Sequence, residues 1–200
     1  MRQPLGVILA GGQATRMGGG DKGLLLLDGQ SLLSRVHDRL APQVAGVALN
    51  ANGDPARFDA MGLPVIRDSV EGFAGPLADV LAGLDWAADQ GADTIVTAAA
   101  DTPFFPCDLV PQLLLASEGM GVPLVLAATP DTQRGRARHP TFGLWPVALR
   151  DDLRAALANG VRKVVQWTGQ HQGREAMFPQ EEAFFNVNTP DDLATAKAML

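Results

Sequence analysis

Short, almost wholly apolar runs alternate along this chain with segments in which apolar residues recur every three or four positions. Apolar runs of this length are typical of strands buried on both faces of a sheet, whereas the wider spacing is typical of amphipathic helices. The apolar pattern predicts strands at Leu5–Leu9, 44–49, 65–66, 94–100, 124–129 and 142–145. The chain therefore alternates between strands and helices.

Capping residues and prolines mark where several of the helices begin. Ser31 is a suitable N-cap for the helix after it, and Pro76 suits the first turn of another. The last helix begins at Thr189 and Pro190, with two aspartates in its first turn. The inward positions of the first two helices are apolar: Leu32, Leu33, Val36, Leu40, Leu77, Val80, Leu81 and Leu84. Further helices are predicted at 108–117 and 149–158, and a polar, basic loop at 130–140.

Strands that alternate with helices form mostly parallel sheets with helices on both faces. Residues 1–200 are therefore predicted to form a single α/β domain of three layers. Ligands of such sheets bind beyond the carboxyl ends of the strands. Polar residues follow four of the predicted strands: the glycine-rich segment after Leu9, then Asn50, Asp68 and Asp101. We expect one active site at this edge.

The segment after the first strand combines glycines with two cations. It reads Leu9-Ala10-Gly11-Gly12-Gln13-Ala14-Thr15-Arg16 and continues to Lys22. Glycines let backbone N–H groups approach an anion closely, and the cations neutralise it. A P-loop is excluded, because Lys22 is followed by glycine where that motif needs serine or threonine. The segment predicts a site for a nucleoside triphosphate.

Asp101 ends an apolar strand, where its carboxylate is held rigidly and is partly desolvated. Mg²⁺ accepts one or two carboxylates and completes its shell with water and phosphate oxygens, so Asp101 is a candidate ligand; a turn role is the alternative. Asn50 and Asp68 could contact the nucleoside or stabilise turns. The chain shows no serine-hydrolase elbow and no zinc-ligand spacing. These residues favour phosphoryl or nucleotidyl transfer, which depends on positioning and charge stabilisation.

Composition narrows the class of partner. The net charge of −6 argues against a nucleic-acid-binding surface, which needs net basic patches. The single cysteine, Cys107, cannot form an intramolecular disulfide, which fits a reducing cytoplasm. No apolar stretch approaches the length of a membrane span. We therefore expect a cytoplasmic protein with neither a nucleic-acid nor a membrane partner.

Together these motifs resemble the nucleotidyltransferases of the molybdenum cofactor branch, and among them the guanylyltransferases. The opening motif, which ends in Asp21-Lys22, is shared by the wider superfamily. The narrower resemblance rests on Asn50-Ala51-Asn52, Asp68-Ser69, Gly75-Pro76-Leu77-Ala78, Asp101-Thr102-Pro103 and Phe185-Asn186-Val187-Asn188-Thr189-Pro190. Two features depart from the pattern: Asp79 stands where we expect glycine, and the basic loop from Arg134 to Arg138 is less regular than the opening motifs.

The resemblance implies a Rossmann-like fold of the nucleotide-diphospho-sugar-transferase type. It also implies transfer of GMP from GTP to molybdenum-bearing molybdopterin, by an N-terminal part that binds GTP and a C-terminal part that faces molybdopterin. The implied GTP contacts are Leu9, Ala10, Gly11, Gly12, Lys22, Asn50, Asp68 and Asp101. The implied catalytic residues are Arg16, Lys22 and Asp101, with Asp101 binding Mg²⁺. The implied molybdopterin-facing residues are His139, Asn186 and Asn188.

Two other functions fit parts of the sequence. A cytidylyltransferase that acts on the same cofactor shares the opening motif but more often carries alanine where this chain has Gly11. A non-catalytic nucleotide-binding partner, such as a chaperone that delivers cofactor to molybdoenzymes, would need neither Lys22 nor Asp101. Both residues are present, which favours an enzyme.

Overall fold

The structure is a computed structural model, and it describes residues 2–10, 22–70 and 75–200. The strands in these ranges are β1 (Leu5–Leu9), β2 (Leu26–Leu27), β3 (Gln30–Ser31), β4 (Val47–Asn50), β5 (Val65–Ile66), β6 (Thr94–Ala99), β7 (Val125–Asp131), β8 (Gly135–Pro146) and β9 (Arg174–Met177). The α-helices are α1 (Leu32–Leu40), α2 (Pro76–Asp89), α3 (Leu109–Ala116), α4 (Arg150–Ala158), α5 (Val164–Gln170) and α6 (Pro190–Ala198).

Seven of these strands form one sheet, in the order β5-β4-β1-β6-β8-β7-β9. Strand β1 pairs in parallel with β4 and β6, and β7 pairs in parallel with β9. Only β8 runs the other way, antiparallel to both β6 and β7. The carboxyl ends of the other six strands therefore lie at one edge. The predicted mostly parallel sheet is confirmed.

Helices cover both faces of this sheet, as predicted. Helices α1 and α3 pack with Ile8 and Val96 on one face, and α2, α4 and α5 pack with Val7 and Ile95 on the other. Neighbouring strand residues face opposite ways because of the pleat. Helix α6 instead packs on the small β2–β3 hairpin, where its Ala196 shares a cluster with Leu27, Leu32 and Val187. Within the described residues, no helix is both long and apolar enough to cross a membrane.

Two predicted helix starts have the expected capping geometry. The Ser31 hydroxyl accepts a hydrogen bond from the backbone N–H of Ser34 at 3.0 Å. Thr189 and Asp192 form a full capping box, in which each side chain accepts from the other residue's backbone N–H. Both starts are confirmed, and the second becomes important for the site.

The boundaries of the second predicted strand are shifted. Strand β4 begins at Val47 and includes Asn50, whereas the apolar pattern placed it at 44–49. Val44 is buried in the core without belonging to the strand, and Ala45 instead donates its N–H to the carbonyl of Pro4. The predicted strand therefore began three residues too early, because Val44 is apolar and buried without belonging to the strand.

The predicted loop at 130–140 is wrong. Strand β7 continues to Asp131 and β8 begins at Gly135, so the segment forms a hairpin. The Asp131 carboxylate accepts backbone N–H bonds from Gln133 and Arg134, which closes the turn. Every second residue after the turn is arginine, at 136 and 138, and this period of two was the signal for a strand.

Strand β8 passes very close to β7 at Gly143. A Cβ atom at this position would lie 2.9 Å from the carbonyl oxygen of Val125 and 3.0 Å from both Leu126 and Trp145. The register between the two strands shifts between Leu126 and Ala127, where β8 contributes the extra residues. Glycine is therefore required for β8 to bridge β6 and β7.

Candidate functional site

The edge formed by the carboxyl ends of β1, β4, β5 and β6 brings the predicted site residues together. The N–H of Ala10 donates to the carbonyl of Asn50 at 2.9 Å, and the N–H of Ala100 donates to the carbonyl of Leu9 at 3.0 Å. The ends of three strands are thus directly joined. Two backbone groups of Leu9 and Ala10 are already used in the sheet. The predicted residues Gly11, Gly12 and Arg16 lie outside the described residues.

At the β4–β5 end of this edge, two asparagines hold one carboxylate. Asn50 donates from Nδ2 to Oδ1 of Asp68 at 3.1 Å, and Asn52 donates from Nδ2 to Oδ2 at 2.7 Å. The N–H of Asp68 donates in turn to Oδ1 of Asn52 at 3.1 Å. Both oxygens of Asp68 are therefore fixed in direction, and the predicted pair of Asn50 and Asp68 is a rigid polar cluster.

The same cluster contains a buried acceptor that has no partner among the described residues. Asn50 is 0% exposed, and within the described residues its Oδ1 accepts no hydrogen bond. Leaving a buried polar atom unsatisfied costs about 1–3 kcal/mol. An unsatisfied oxygen beside a fixed carboxylate is the kind of group that a ligand donor would complete.

Asp79, which the sequence marked only as a departure from the family pattern, joins this cluster from the first turn of α2. Burial, followed by the charge of Asp68 and a hydrogen bond with it, raises the pKa of Asp79 from 3.8 to about 7. Asp79 therefore holds its proton up to neutral pH and shares it with Asp68. An acidic residue in the otherwise apolar first turns of α2 was the available signal.

In the middle of the edge, Lys22 and Asp101 face each other. The Nζ atom of Lys22 lies 3.9 Å from Oδ2 of Asp101, and the Thr102 hydroxyl lies 3.3 Å from Oδ1. Burial raises the pKa of Asp101, while Lys22 and the Thr102 hydroxyl oppose that rise. Among the described residues, the arrangement is a partly desolvated carboxylate beside one cation; the sequence predicted the partly desolvated carboxylate but not its contact with Lys22.

The C-terminal segment also reaches this centre. Lys22 donates from Nζ to Oδ1 of Asn188 at 2.7 Å, and the Thr102 hydroxyl donates to Oδ1 of Asn186 at 2.6 Å. The N–H of Val187 donates to the backbone carbonyl of Asp101 at 2.8 Å. Asn186 and Asn188, predicted from the resemblance to face an acceptor, therefore contact the residues around the Lys22–Asp101 centre.

His139 lies on β8, the strand next to β6. Its Nε2 is 3.0 Å from the Thr129 hydroxyl, and its ring stacks on Phe184 with centroids 4.1 Å apart. Burial lowers the pKa of His139 to about 4, so the ring is neutral at physiological pH. It is therefore a packed polar group and carries no positive charge for an anionic ligand.

The arginines of the same hairpin are partly neutralised. Arg136 and Arg138 both bind Glu175, at 2.6 Å and 2.5 Å. These residues lie on one side of β8 and His139 on the other, since neighbouring strand residues alternate. The basic character of this segment thus serves in part to tie β8 to β9.

With this geometry in place, similarity to known proteins decides the family. Residues 6–175 match the model of the MobA-like NTP transferase domain. The chain belongs to the MobA-like NTP transferase family. It is 51% identical over 195 residues to a molybdenum cofactor guanylyltransferase of Cereibacter sphaeroides, with 98% of this chain and 96% of that protein covered. It is 47% identical over 206 residues to one of Mesorhizobium japonicum, covering 100% and 97%.

Solved structures agree on the fold of this MobA-like NTP transferase. A molybdopterin-guanine dinucleotide biosynthesis protein A from Archaeoglobus fulgidus superposes with a TM-score of 0.71 at 22% identity, covering 98% of this chain and 97% of that one. A 4-diphosphocytidyl-2C-methyl-D-erythritol synthase from Anaerococcus prevotii superposes with a TM-score of 0.76 at 14% identity, covering 99% and 96%. The predicted nucleotide-diphospho-sugar-transferase-like fold is confirmed.

The side chains of the MobA-like site suit some metal ions better than others. Within residues 2–10, 22–70 and 75–200, no cluster of three or more His, Cys, Asp or Glu side chains could hold a metal ion. A zinc site needs three or four such ligands, whereas Mg²⁺ is commonly held by one or two carboxylates together with substrate phosphates. A single desolvated carboxylate such as Asp101 therefore fits Mg²⁺.

Proposed function

We propose that this protein transfers GMP from GTP to molybdenum-bearing molybdopterin, forming the guanine dinucleotide cofactor and pyrophosphate. The observation that carries the proposal is 47–51% identity, over nearly the whole chain, to molybdenum cofactor guanylyltransferases. The Lys22–Asp101 centre supports it, because a cation and a carboxylate at a strand edge suit the handling of a triphosphate.

We assign the two substrates to the two parts of the edge. The nucleoside of GTP would lie against Asn50 and Asp68, whose cluster offers a fixed carboxylate. The triphosphate would extend toward Lys22, with Leu9 and Ala10 beneath it. The molybdopterin would enter from the C-terminal side, where His139 lies on the strand next to β6.

The chemistry is an in-line displacement at phosphorus. The terminal phosphate of molybdopterin attacks the α-phosphorus of GTP, the new P–O bond forms there, and the bond to the β-phosphate oxygen breaks. The attacking phosphate is already an anion, so the step needs no strong general base. The ammonium group of Lys22 would offset the negative charge that develops on the departing pyrophosphate.

We propose Asp101 as the ligand for Mg²⁺, because burial partly desolvates its carboxylate and its Oδ2 lies 3.9 Å from the Nζ atom of Lys22. When bound, Mg²⁺ supplies positive charge to phosphate oxygens. Asp101 would orient the metal, and the Thr102 hydroxyl, which donates to Asn186, lies 3.3 Å from Oδ1 of Asp101.

The product would serve molybdoenzymes, or chaperones that deliver the cofactor to them. The cytoplasm is the proposed compartment, supported by a single exposed cysteine, Cys107, that forms no disulfide.

A transfer assay tests the proposal directly. The protein would be incubated with Mg²⁺ and molybdenum-loaded molybdopterin, with GTP or CTP in separate reactions, and the dinucleotide product detected by mass. Product from GTP alone is the expected result. Product from CTP alone would replace the proposal by cytidylyl transfer, and binding of GTP without any product would favour a non-catalytic nucleotide-binding partner.

A further inference from the structure

Lys22 is held mainly by a residue from the other end of the chain. Its Nζ donates to Oδ1 of Asn188 at 2.7 Å, 166 positions away, whereas Oδ2 of Asp101 lies at 3.9 Å. The shorter contact is a normal hydrogen bond, and the longer one is beyond that range. The direction of the ammonium group in this structure therefore depends on where Asn188 is placed.

Asn188 is in turn held by a carboxylate that lies one step further from the edge. Oδ2 of Asp192 accepts the backbone N–H groups of Asn188 at 2.9 Å and of Thr189 at 2.8 Å. The N–H of Asp192 donates back to the Thr189 hydroxyl at 3.1 Å. Thus the Asp192 carboxylate, besides closing the capping box of α6, fixes the backbone from which the Asn188 side chain extends.

The same segment is tied to the strand that carries Asp101. Val187 is fully buried, and its N–H donates to the backbone carbonyl of Asp101 at 2.8 Å. A backbone bond to Asp101 on one side and the Asp192 carboxylate on the other leave Asn188 little freedom. Lys22 and Asp101 are therefore both held by residues 187–188.

We propose that Asp192 is a positioning residue for Lys22 and acts through Asn188. The inference rests on the proposed function, since it concerns the cation that would bind the triphosphate. Asp192 touches neither Lys22 nor Asp101 in a hydrogen bond. Its effect passes from the carboxylate to the Asn188 backbone and from the Asn188 amide oxygen to the Lys22 ammonium. The Asp192 and Lys22 charges also attract each other directly, and Asp192→Asn removes that attraction while keeping the path through Asn188.

If Asn188 positions Lys22, changing Asp192 affects substrate binding differently than if Asn188 contacts molybdopterin. If Asn188 mainly contacted molybdopterin, disturbing its backbone would raise the KM for that acceptor and leave GTP binding unchanged. If it positions Lys22, the disturbance weakens binding of GTP, even with no acceptor or metal present. Binding of guanosine, which has no phosphates, would stay the same in both cases.

The chain offers a matched pair of variants. Asp192→Ala removes the bonds to the Asn188 and Thr189 backbones, whereas Thr189→Ala removes only the other half of the capping box and leaves the Asp192–Asn188 bond in place. Both lose helix capping, so thermal unfolding should show a similar loss in Tm. Asp192→Asn keeps an oxygen that accepts the backbone N–H groups and serves as the rescue variant. Asp191→Ala, at an exposed neighbour, controls for charge.

GTP and guanosine binding would be measured by calorimetry, and kcat and KM by the transfer assay. For Asp192→Ala we expect GTP to bind about tenfold more weakly, the loss typical of one charged hydrogen bond, and kcat to fall about 10- to 100-fold, as misplacement of a catalytic group does. Thr189→Ala, Asp192→Asn and Asp191→Ala should remain near wild type. In a Lys22→Ala background, adding Asp192→Ala should have no further effect beyond about twofold.

Equal losses in Asp192→Ala and Thr189→Ala would overturn the proposal, because capping alone would then account for them. An undiminished effect of Asp192→Ala in the Lys22→Ala background would overturn it as well, and so would unchanged GTP binding together with a raised acceptor KM. A wild-type protein that binds GTP but makes no dinucleotide would refute the proposed function only, since the binding comparison still tests Asp192.

Discussion

Replacing Asp79 by asparagine should make the protein more stable at and above neutral pH and leave it nearly unchanged in acid. Asp79 lies in the first turn of α2 beside the carboxylate of Asp68, and burial together with that charge raises its pKa to about 7. Above this pH the folded protein holds two neighbouring negative charges. The asparagine side chain has nearly the same size, stays neutral, and can donate its N–H to Asp68.

The magnitude follows from the difference between the folded and unfolded pKa. In the unfolded chain Asp79 loses its proton near 3.8, whereas in the folded protein it keeps the proton to about 7. Between these values the folded state binds more protons, so the free energy of unfolding falls as the pH rises and is constant above about 7. The difference between the two pKa values corresponds to a loss of about 4 kcal/mol in the free energy of unfolding. Partial solvent contact of Asp79 lowers this loss to about 2–3 kcal/mol.

Urea denaturation of wild type and Asp79→Asn at pH 5 and at pH 8 measures this difference. The free energy of unfolding of the variant should exceed that of wild type by about 2 kcal/mol more at pH 8 than at pH 5. Asp89→Asn, at the exposed end of the same helix, serves as the control and should show the same small effect at both values. An advantage of Asp79→Asn that does not change with pH would refute the reasoning, because it could not come from a titrating carboxyl group.

Other predictions concern the metal, the sheet and the histidine. Asp101→Ala should abolish nucleotidyl transfer while the circular dichroism spectrum stays native, and full Mg²⁺-dependent activity in that variant would refute its role as ligand. Gly143→Ala should destabilise the protein by about 1–3 kcal/mol in urea titration, because the added Cβ would meet the carbonyl of Val125. Gly169→Ala, in helix α5, has open space around the added Cβ and should stabilise the protein by up to about 1 kcal/mol. His139, whose pKa burial lowers to about 4, should give NMR ring signals of the neutral form down to about pH 5, and its contribution to stability should fall as the pH drops from 6.5 toward 4.

Apolar periodicity predicted the central sheet well because its strands are buried on both faces. Strand β1 matches Leu5–Leu9, and β6 differs from its prediction by one residue. Apolar periodicity is lost where a strand is half polar, as in β8, whose first half carries arginine and histidine on a partly exposed hairpin. It also overlooked the β2–β3 hairpin, although Asp28-Gly29, with φ of 51° and 77°, is a turn signal that could have revealed it.

The convergence of Asn50, Asp68 and Asp101 was predictable, since it follows from strand direction alone. The partners of Lys22 were not, because nothing local shows that Asn188 returns to contact Lys22. The raised pKa of Asp79 likewise depends on how deeply α2 is buried and on its nearness to Asp68. Sequence therefore indicated which residue types gather at the edge, and tertiary packing determined which of them touch.

The contact between Lys22 and Asn188 also constrains when the site can form. These residues are 166 positions apart, whereas β1, β4, β5 and β6 are complete by residue 99. On a ribosome, the polar cluster around Asp68 has all of its parts long before Asn188 is synthesised. Lys22 would gain its anchor only when helix α6 docks on the β2–β3 hairpin, so catalytic competence would be the last property of the growing chain to appear.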